Sequence, residues 1–109
     1  MLEDILAPKE VIVFRQPYDR LEVHDEIFDE LAITSQRIIF YKRTGLIFKK
    51  DNSSSIGLSN ISGVKFSEKG VIRKKGVMEV YLKDNSILPI EGNASEMKYL
   101  YQNLVSKIE

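Results

Sequence analysis

Apolar and polar residues alternate with a period of two along most of this chain. In the segment 77–83, Met78, Val80 and Leu82 fall on one side, and polar or aromatic residues fall on the other. This alternation is typical of a β-strand with one buried face. The seven segments with strand character are Val11 to Phe14 (ending before Pro17), Leu31 to Thr34, Arg37 to Arg43, Leu46 to Phe48, Val64 to Ser67, Val77 to Lys83 and Leu88 to Ile90.

The connections between these segments carry turn-forming residues. A tight polar connection, Ser35 and Gln36, joins the second and third strands, and the third is apolar on both faces from Ile38 to Tyr41. Such a strand is expected to be covered on both sides. Thr44 and Gly45 are predicted to form the next turn, and Asn52 to Ser55 a loop before Ile56 and Leu58. The polar turn 83–86 makes the last two strands a hairpin.

Only the C-terminal segment follows the helical period. Its apolar stripe consists of Met97, Leu100, Tyr101, Leu104 and Ile108. Gly92 is expected to end the preceding strand, and Asn93 with Glu96 three residues later has the spacing of a helix N-cap. At the other end, Leu2, Ile5 and Leu6 are expected to form one further helical turn before Pro8.

The order of these elements carries a family resemblance. The segments ITSQRIIFYKRTGLIFKK, IGLSNISGVKFSEKG and MEVYLKDNSILPI, followed by the helix, resemble the prokaryotic pleckstrin-homology-like domains, particularly the YokE-like kind. The resemblance implies one domain over residues 1–109, mostly β (α+β by content): a barrel of about seven antiparallel strands with the C-terminal helix plugging one end. It places Arg37 at the start of the third strand, Phe40 and Tyr41 across the barrel wall and Ile61 at the entry to the next strand. Gly57 departs from the family, which often has proline there, and is expected to loosen that strand slightly.

The sequence also predicts which residues fill the interior of the barrel. The main core is expected to contain Ile39 or Phe40, together with Phe66, Val80, Leu82, Ile90 and Leu104, while the helix packs Leu100, Tyr101 and Leu104 into one end.

Composition narrows the class of protein. The chain has 109 residues, 43% of them hydrophobic and 29% charged, which is typical of one globular domain. It has no cysteine, which excludes disulfides, thiol catalysis and thiolate zinc sites. The N-terminus lacks the features of a signal peptide, and no window is apolar enough for a membrane span. A cytoplasmic location is therefore expected.

Charge is distributed unevenly although the formal net charge is zero. Residues 1–36 contain three basic and nine acidic residues. Residues 37–75 contain ten basic and two acidic residues, and residues 76–109 contain three basic and five acidic residues. This asymmetry is consistent with two interpretations. Either the folded strands interleave the charges, or acidic and basic surfaces remain separate and available to partners.

No catalytic constellation is found in the sequence. The single histidine, His24, lies among acidic residues, and its neighbours Asp25 and Glu26 are too close in sequence to converge on a metal without help from elsewhere. Nucleophile elbows, phosphate-binding loops and dinucleotide motifs are missing. The sequence predicts no enzyme and no cofactor; a hydrolase or metal enzyme built on His24 is the remote alternative to a solvated turn histidine.

The phosphoinositide site of eukaryotic relatives is expected to be absent. Its ligands would come from the first two strands and the loop between them. Here that segment, Asp19 to Glu30, has six acidic residues and one basic residue, Arg20. Such a segment repels a polyphosphate headgroup.

A basic surface is the candidate binding site. It comprises Lys42, Arg43, Lys49 and Lys50 around one turn and Lys69, Arg73, Lys74 and Lys75 in the segment SEKGVIRKKGV, with Val71 and Ile72 among them. Cations around apolar residues suit an anionic membrane surface or nucleic acid phosphates, but the surface lacks the aromatic side chains that stack on bases. The alternative is an ordinary solvated hairpin loop.

These observations favour a non-enzymatic binding or interaction module. A protein partner or self-assembly is the leading expectation, because the acidic segment of one copy can face the basic loops of another and some members of the family assemble this way. Peripheral binding of anionic lipid or nucleic acid through the basic loop is the alternative.

Overall fold

The computed structural model describes residues 2–44, 50–70, 72 and 74–108, with the backbone alone for residues 43, 44 and 50–52. The elements are a 3-10 helix (Leu2–Ile5), β1 (Ile12–Val23), β2 (Glu26–Thr34), β3 (Arg37–Thr44), β4 (Lys50–Gly57), a second 3-10 helix (Leu58–Asn60), β5 (Ile61–Lys69), β6 (Lys75–Leu82), β7 (Ile87–Asn93) and α1 (Ala94–Ile108). The predicted number of about seven strands and the single C-terminal helix are confirmed, and six of the seven predicted segments lie in strands. Gly45 and the predicted strand Leu46 to Phe48 lie outside the described residues.

The seven strands form one antiparallel sheet in the order β4-β3-β2-β1-β7-β6-β5. β1 connects its two halves, since it pairs along much of its length with β2 and through Glu22 and Val23 with β7. The sheet is not closed: in the described strand pairs, β4 pairs only with β3 and β5 only with β6. The structure is therefore a single open sheet rather than the predicted closed barrel. The helix α1 packs against β5, β6 and β7.

The predicted loop Asn52 to Ser55 is wrong, because these residues belong to β4. They pair with β3 from Lys42↔Asn52 to Ile39↔Ser55. Ser53, Ser54 and Ser55 are exposed. An edge strand with solvent-facing side chains needs no apolar residues on that side, so its sequence shows no alternation. Leu58, which follows that predicted loop, lies in a 3-10 helix.

The first strand also extends further than its apolar pattern predicts. β1 runs through Pro17 to Val23, and its register with β2 is irregular between Pro17 and Leu21. Proline has no N–H to donate to a sheet and is found at such irregularities. The irregularity therefore allows one long strand to include a residue that usually marks a strand end.

One core lies between the inner face of the sheet and α1. Phe40, Val80, Ile90 and Leu104 are buried in it, as predicted, together with Met78, Met97 and Leu100. Phe66, Leu82 and Tyr101 pack against this cluster but are only half-buried. Of the two alternatives for the third strand, Phe40 faces this core and Ile39 faces away from it.

The N-terminal segment covers the outer face of β2 and β3. Leu2 is buried in a second cluster with Ala32, Ile39 and Tyr41, against which Ile5 and Leu6 pack. The predicted N-terminal turn therefore covers the side of β3 that the main core does not reach. This confirms that the doubly apolar run Ile38 to Tyr41 is buried on both sides.

Asn93 caps α1 as the sequence predicts. Its side-chain oxygen accepts hydrogen bonds from the backbone N–H groups of Ser95 (3.0 Å) and Glu96 (3.2 Å). An N-cap of this type satisfies donors that the first helical turn leaves unpaired. The cap begins the helix directly after β7, which reaches Asn93 rather than ending at Gly92.

Gly76 lets α1 approach β6 closely, and this contact predicts the effect of a substitution. A Cβ atom at Gly76 would lie 2.5 Å from the Cβ of Met97 and 3.1 Å from the Cα of Ala94. We expect Gly76→Ala to lower the free energy of unfolding by about 1–3 kcal/mol, because helix or strand must shift. Urea denaturation measures this. At Gly63 an added Cβ meets nothing within 4 Å, so Gly63→Ala is the matched control, and equal losses in the two variants would contradict the packing explanation.

Candidate functional site

The fold divides the predicted basic surface into two groups. Lys42, Arg43 and Lys50 belong to the β3–β4 hairpin, and Lys69, Lys74 and Lys75 to the β5–β6 hairpin; Lys49 and Arg73 lie outside the described residues. Because every neighbouring pair in the sheet is antiparallel, these two hairpin turns lie at opposite ends of the strands. The described residues of the two groups therefore do not form a single surface.

The described part of the β3–β4 group is mixed with acidic residues. Lys42 Nζ lies 3.1 Å from the carboxylate of Glu26 on the neighbouring β2 and 5.2 Å from the ring centroid of Phe28. Lys42 is half-buried, and the carboxylate of Glu26 beside it balances its charge locally. At this end of the strands the charges interleave.

The acidic segment Asp19 to Glu30 forms the β1–β2 hairpin. Its turn consists of His24 and Asp25, both with positive φ (48° and 64°), as a two-residue type I′ connection requires. Glu30 is paired with Arg15, which also pairs with Glu3. The acidic residues thus lie on a well-formed hairpin beside the β3–β4 group, and part of their charge is neutralised internally.

His24 is exposed at the end of this hairpin. Among the residues that the structure describes, no three His, Cys, Asp or Glu side chains converge closely enough to hold a metal ion. No described helix is both long enough and apolar enough to cross a membrane.

The β5–β6 hairpin tip is defined here as residues 69–75, of which residues 69, 70, 72, 74 and 75 are described. β5 extends to Lys69 and β6 begins at Lys75, so both strands reach into the segment SEKGVIRKKGV. Ile72 is 95% exposed, more than any other large apolar residue described. Val71, the second apolar residue predicted there, lies outside the described residues.

Two lysines of the hairpin tip lie near carboxylates. Lys69 Nζ is 3.4 Å from Glu91 on β7, and Lys74 Nζ is 3.9 Å from Glu68 on β5. These lysines are exposed, so the pairs contribute little to stability. They do reduce the net positive charge around Ile72, so the hairpin tip is an apolar point on a surface of both signs.

A buried polar network joins the N-terminal segment to the β2–β3 turn, and the sequence analysis missed it. The side chain of Glu10 is fully buried and accepts hydrogen bonds from Arg37 Nε (2.9 Å) and Nη2 (3.1 Å), from the Thr34 hydroxyl (2.5 Å) and from the backbone N–H of Ala7 (2.8 Å). Arg37 also donates to the carbonyl of Ile5 at 2.8 Å. These contacts hold the N-terminal segment against the sheet.

Thr34 and Arg37 therefore have a structural role. The Thr34 hydroxyl accepts hydrogen bonds from the backbone N–H groups of Gln36 and Arg37, both at 3.0 Å, and so fixes the turn. The pKa of Glu10 falls from its usual 4.5 to about 2, chiefly because the Arg37 guanidinium donates hydrogen bonds to its carboxylate. Burial of the carboxylate raises the pKa but is outweighed by these and the other hydrogen bonds. Arg37 does start the third strand as predicted, and its partner Glu10 explains why an arginine is needed.

A groove lies between β5 and the second half of α1. Ser62, Gly63 and Val64 form one side, and Tyr101, Val105 and Ile108 form the other. The ring of Tyr101 lies 5.8 Å from that of Phe66, which fixes its position. The groove presents both polar and apolar surface and adjoins the edge of the sheet at β5.

Comparison with known proteins supports the fold assignment. No family model matches the chain, and no curated protein matches it. Among solved structures, the chain is similar to the crystal structure of a pleckstrin homology domain from Shewanella amazonensis SB2B, with a TM-score of 0.69 and 16% identity, covering 98% of this chain and 91% of that one. At this identity the likeness shows the fold alone. The predicted pleckstrin-homology-like fold is confirmed.

Proposed function

We propose that the chain is a non-enzymatic interaction module that contacts a protein partner through the β5–β6 hairpin tip. Pleckstrin-homology-like folds serve as binding modules in general, but the same fold presents different surfaces in different proteins. The choice of surface therefore depends on this chain's own residues. The observation that carries the proposal is Ile72, which is 95% exposed among charged neighbours.

A large apolar side chain at a hairpin tip suits insertion into a partner's pocket. Fully burying an isoleucine contributes about 2 kcal/mol, which corresponds to roughly 30-fold in affinity. An apolar anchor surrounded by charges of both signs resembles the arrangement of protein interfaces, in which a small apolar centre supplies affinity and a polar rim supplies orientation.

The ion pairs of the hairpin tip favour a protein partner over an anionic membrane. Membrane attraction grows by about 1 kcal/mol for each cation near the surface. Here Glu91 and Glu68 lie beside Lys69 and Lys74 and would approach the same membrane. A protein surface can offer charges of both signs to match this pattern, whereas an anionic bilayer or a nucleic acid offers mainly one.

The proposed protein partner includes a second copy of this chain. The turn of the acidic β1–β2 hairpin lies at the opposite end of the strands from the hairpin tip, although Glu22 of that hairpin lines one pocket with Lys75. Two such surfaces on one molecule give a head-to-tail contact, which produces a ring if the rotation closes. The charge distribution supports this arrangement, and a different acidic protein would use the same hairpin tip.

Site-specific cross-linking tests the proposal. A photoreactive benzoylphenylalanine replaces Ile72 in one variant and Tyr99 in a control variant, since Tyr99 is 54% exposed on α1. We expect the probe at residue 72 to cross-link a defined protein, or a second copy of this chain, in host lysate. The control probe should cross-link that species much less. Equal cross-linking at both positions, or none at residue 72, would show that the hairpin tip does not contact a protein.

Side-chain variants test whether Ile72 and the neighbouring lysines themselves contribute to binding. Ile72→Ser should weaken the captured interaction roughly 30-fold, and Lys74→Glu with Lys75→Glu should weaken it most at low salt. Sedimentation velocity in about 50 and 500 mM NaCl measures self-association directly, since screening shortens the range of charge contacts. Retention of wild-type binding by both variants, or binding to phosphatidylserine vesicles without any protein capture, would contradict the proposal.

A further inference from the structure

The N-terminal arm, defined here as residues 2–8, covers the outer face of β2 and β3 without joining the sheet. Among the described residues, its backbone–backbone hydrogen bonds stay within the arm or within the turn that follows it. Side chains attach the arm instead, since Leu2 is buried against the sheet and Arg37 donates a hydrogen bond to the carbonyl of Ile5 (2.8 Å). The arm can therefore leave the sheet without breaking any strand pairing.

The turn between the arm and β1 holds a lysine in a conformation that suits glycine. The backbone N–H of Glu10 donates to the carbonyl of Ala7 (3.1 Å), and Lys9 has a φ of 68°. Pro8 precedes this lysine, and the proline ring fixes φ at about −65°. The combination corresponds to a type II turn, in which glycine or asparagine is preferred at the position of Lys9. A lysine side chain is unfavourable there, so the turn that folds the arm back is strained.

Extending this turn would carry the arm to a second copy of the chain. Seven extended residues span about 23 Å, which is enough to cross to a molecule in direct contact. The face that the arm leaves is apolar and identical in every copy, and it consists of Ala32, Ile39 and Tyr41. The arm of one molecule can therefore make with the other the contacts that it makes with its own sheet. The exchange keeps the buried contacts and relieves the turn at Lys9 in both molecules.

We propose that two copies of the chain exchange their N-terminal arms, so that each arm covers β2 and β3 of the other molecule. The structure identifies the occupant of this face, because the arm already fills it: Leu2 is buried there, and Ile5 and Leu6 pack against the same cluster. The exchange is reciprocal and gives a closed two-fold dimer. It uses a different surface from the hairpin tip, so it goes beyond the interaction proposed there.

Two substitutions of Lys9 test the inference in opposite directions. Lys9→Gly removes the side chain that opposes the turn, so it should lower the dimerisation constant at least about ten-fold. Lys9→Pro excludes a positive φ, so the arm cannot fold back in the same way and the dimer should become the predominant species. Sedimentation velocity over a series of protein concentrations measures both effects against the unaltered chain.

Asn85→Gly is the matched control. Asn85 also has a positive φ (71°), but it lies in the β6–β7 turn, outside the connection to the arm. Its replacement should leave dimerisation unchanged. Isotope-filtered nuclear magnetic resonance identifies the exchanged contact directly, after labelled and unlabelled chains are unfolded together in urea and refolded. We expect nuclear Overhauser effects between Leu2 of one molecule and Ile39 of the other, which no contact within a single molecule can produce.

Several outcomes would overturn the inference. These are an unaltered chain that stays monomeric up to about 1 mM, equal dimerisation of Lys9→Gly and the unaltered chain, a Lys9→Pro variant that is folded by circular dichroism but monomeric, and a dimer without the effects between Leu2 and Ile39. If Lys9→Pro does not fold, the comparison with Lys9→Gly decides alone. Ile72→Ser should exchange arms normally, so failure of the interaction at the hairpin tip and failure of the arm exchange are distinguishable.

Discussion

Replacing Leu104 by alanine is expected to lower the free energy of unfolding by about 2–5 kcal/mol. Leu104 is fully buried on α1 and packs in the main core, where the helix covers the inner face of the sheet. Truncation removes three buried carbon atoms and leaves a cavity that the sheet cannot fill without moving its strands. Urea denaturation followed by circular dichroism measures the loss, which is a large share of the stability of a domain this size.

The control for this substitution is Gln102→Ala on the same helix. Gln102 is exposed, so its replacement should change stability by no more than about 0.5 kcal/mol. An unfolding midpoint that is the same for Leu104→Ala and the unaltered chain would mean that α1 does not close the core.

Glu10→Ala is expected to destabilise the protein by about 3 kcal/mol, because it leaves several buried groups without their partner. The substitution removes the acceptor for Arg37 and Thr34 and for the backbone N–H of Ala7. Breaking a buried ion pair by deleting one member typically costs about 3–5 kcal/mol, and the partial exposure of Arg37 favours the lower end. The same urea experiment applies.

The pH dependence of stability identifies this carboxylate. The pKa of Glu10 falls from its usual 4.5 to about 2 in the folded protein, chiefly because Arg37 donates hydrogen bonds to it. A lowered folded-state pKa stabilises the native state above pH 4.5, and the contribution disappears as the pH falls from about 5 to 2. We expect the stability difference between the unaltered chain and Glu10→Ala to shrink by about 3 kcal/mol over that range. A difference that stays constant with pH would contradict the ionised network.

The elements that alternate or repeat clearly were predicted well from the sequence. α1 combines an apolar stripe at helical spacing with an N-cap at Asn93, and β6 alternates cleanly around Met78 and Val80. In both elements the need to bury one face makes the residues of that face apolar, at every second position in β6 and at every third or fourth position in α1. The pattern of the sequence therefore reports directly on the element and on the face that it buries.

β4 and Pro17 show where this correspondence ends. An exposed edge strand requires backbone pairing but few apolar residues, so Ser53 to Ser55 have the composition of a loop. The extent of β1 depends on a register irregularity that accommodates Pro17, and local sequence does not encode that pairing. Closure of the sheet is also a property of distant strands, and the sequence pattern is the same for an open sheet and a barrel.

The candidate sites were predicted only in part. Lysine clusters are visible in the sequence, but their division between two ends of the strands follows from strand order. Glu10 was missed because its partners, Thr34 and Arg37, lie 24 and 27 residues away. The one available signal was an arginine at the start of an apolar strand, where a charge requires a buried partner.

The position of α1 at the end of the fold affects how the protein is made. A ribosome delivers β5, β6 and β7 before the helix that packs against them. Until Met97, Leu100 and Leu104 have emerged, Met78 and Ile90 remain uncovered on the nascent chain, which is then most open to aggregation and to chaperone binding.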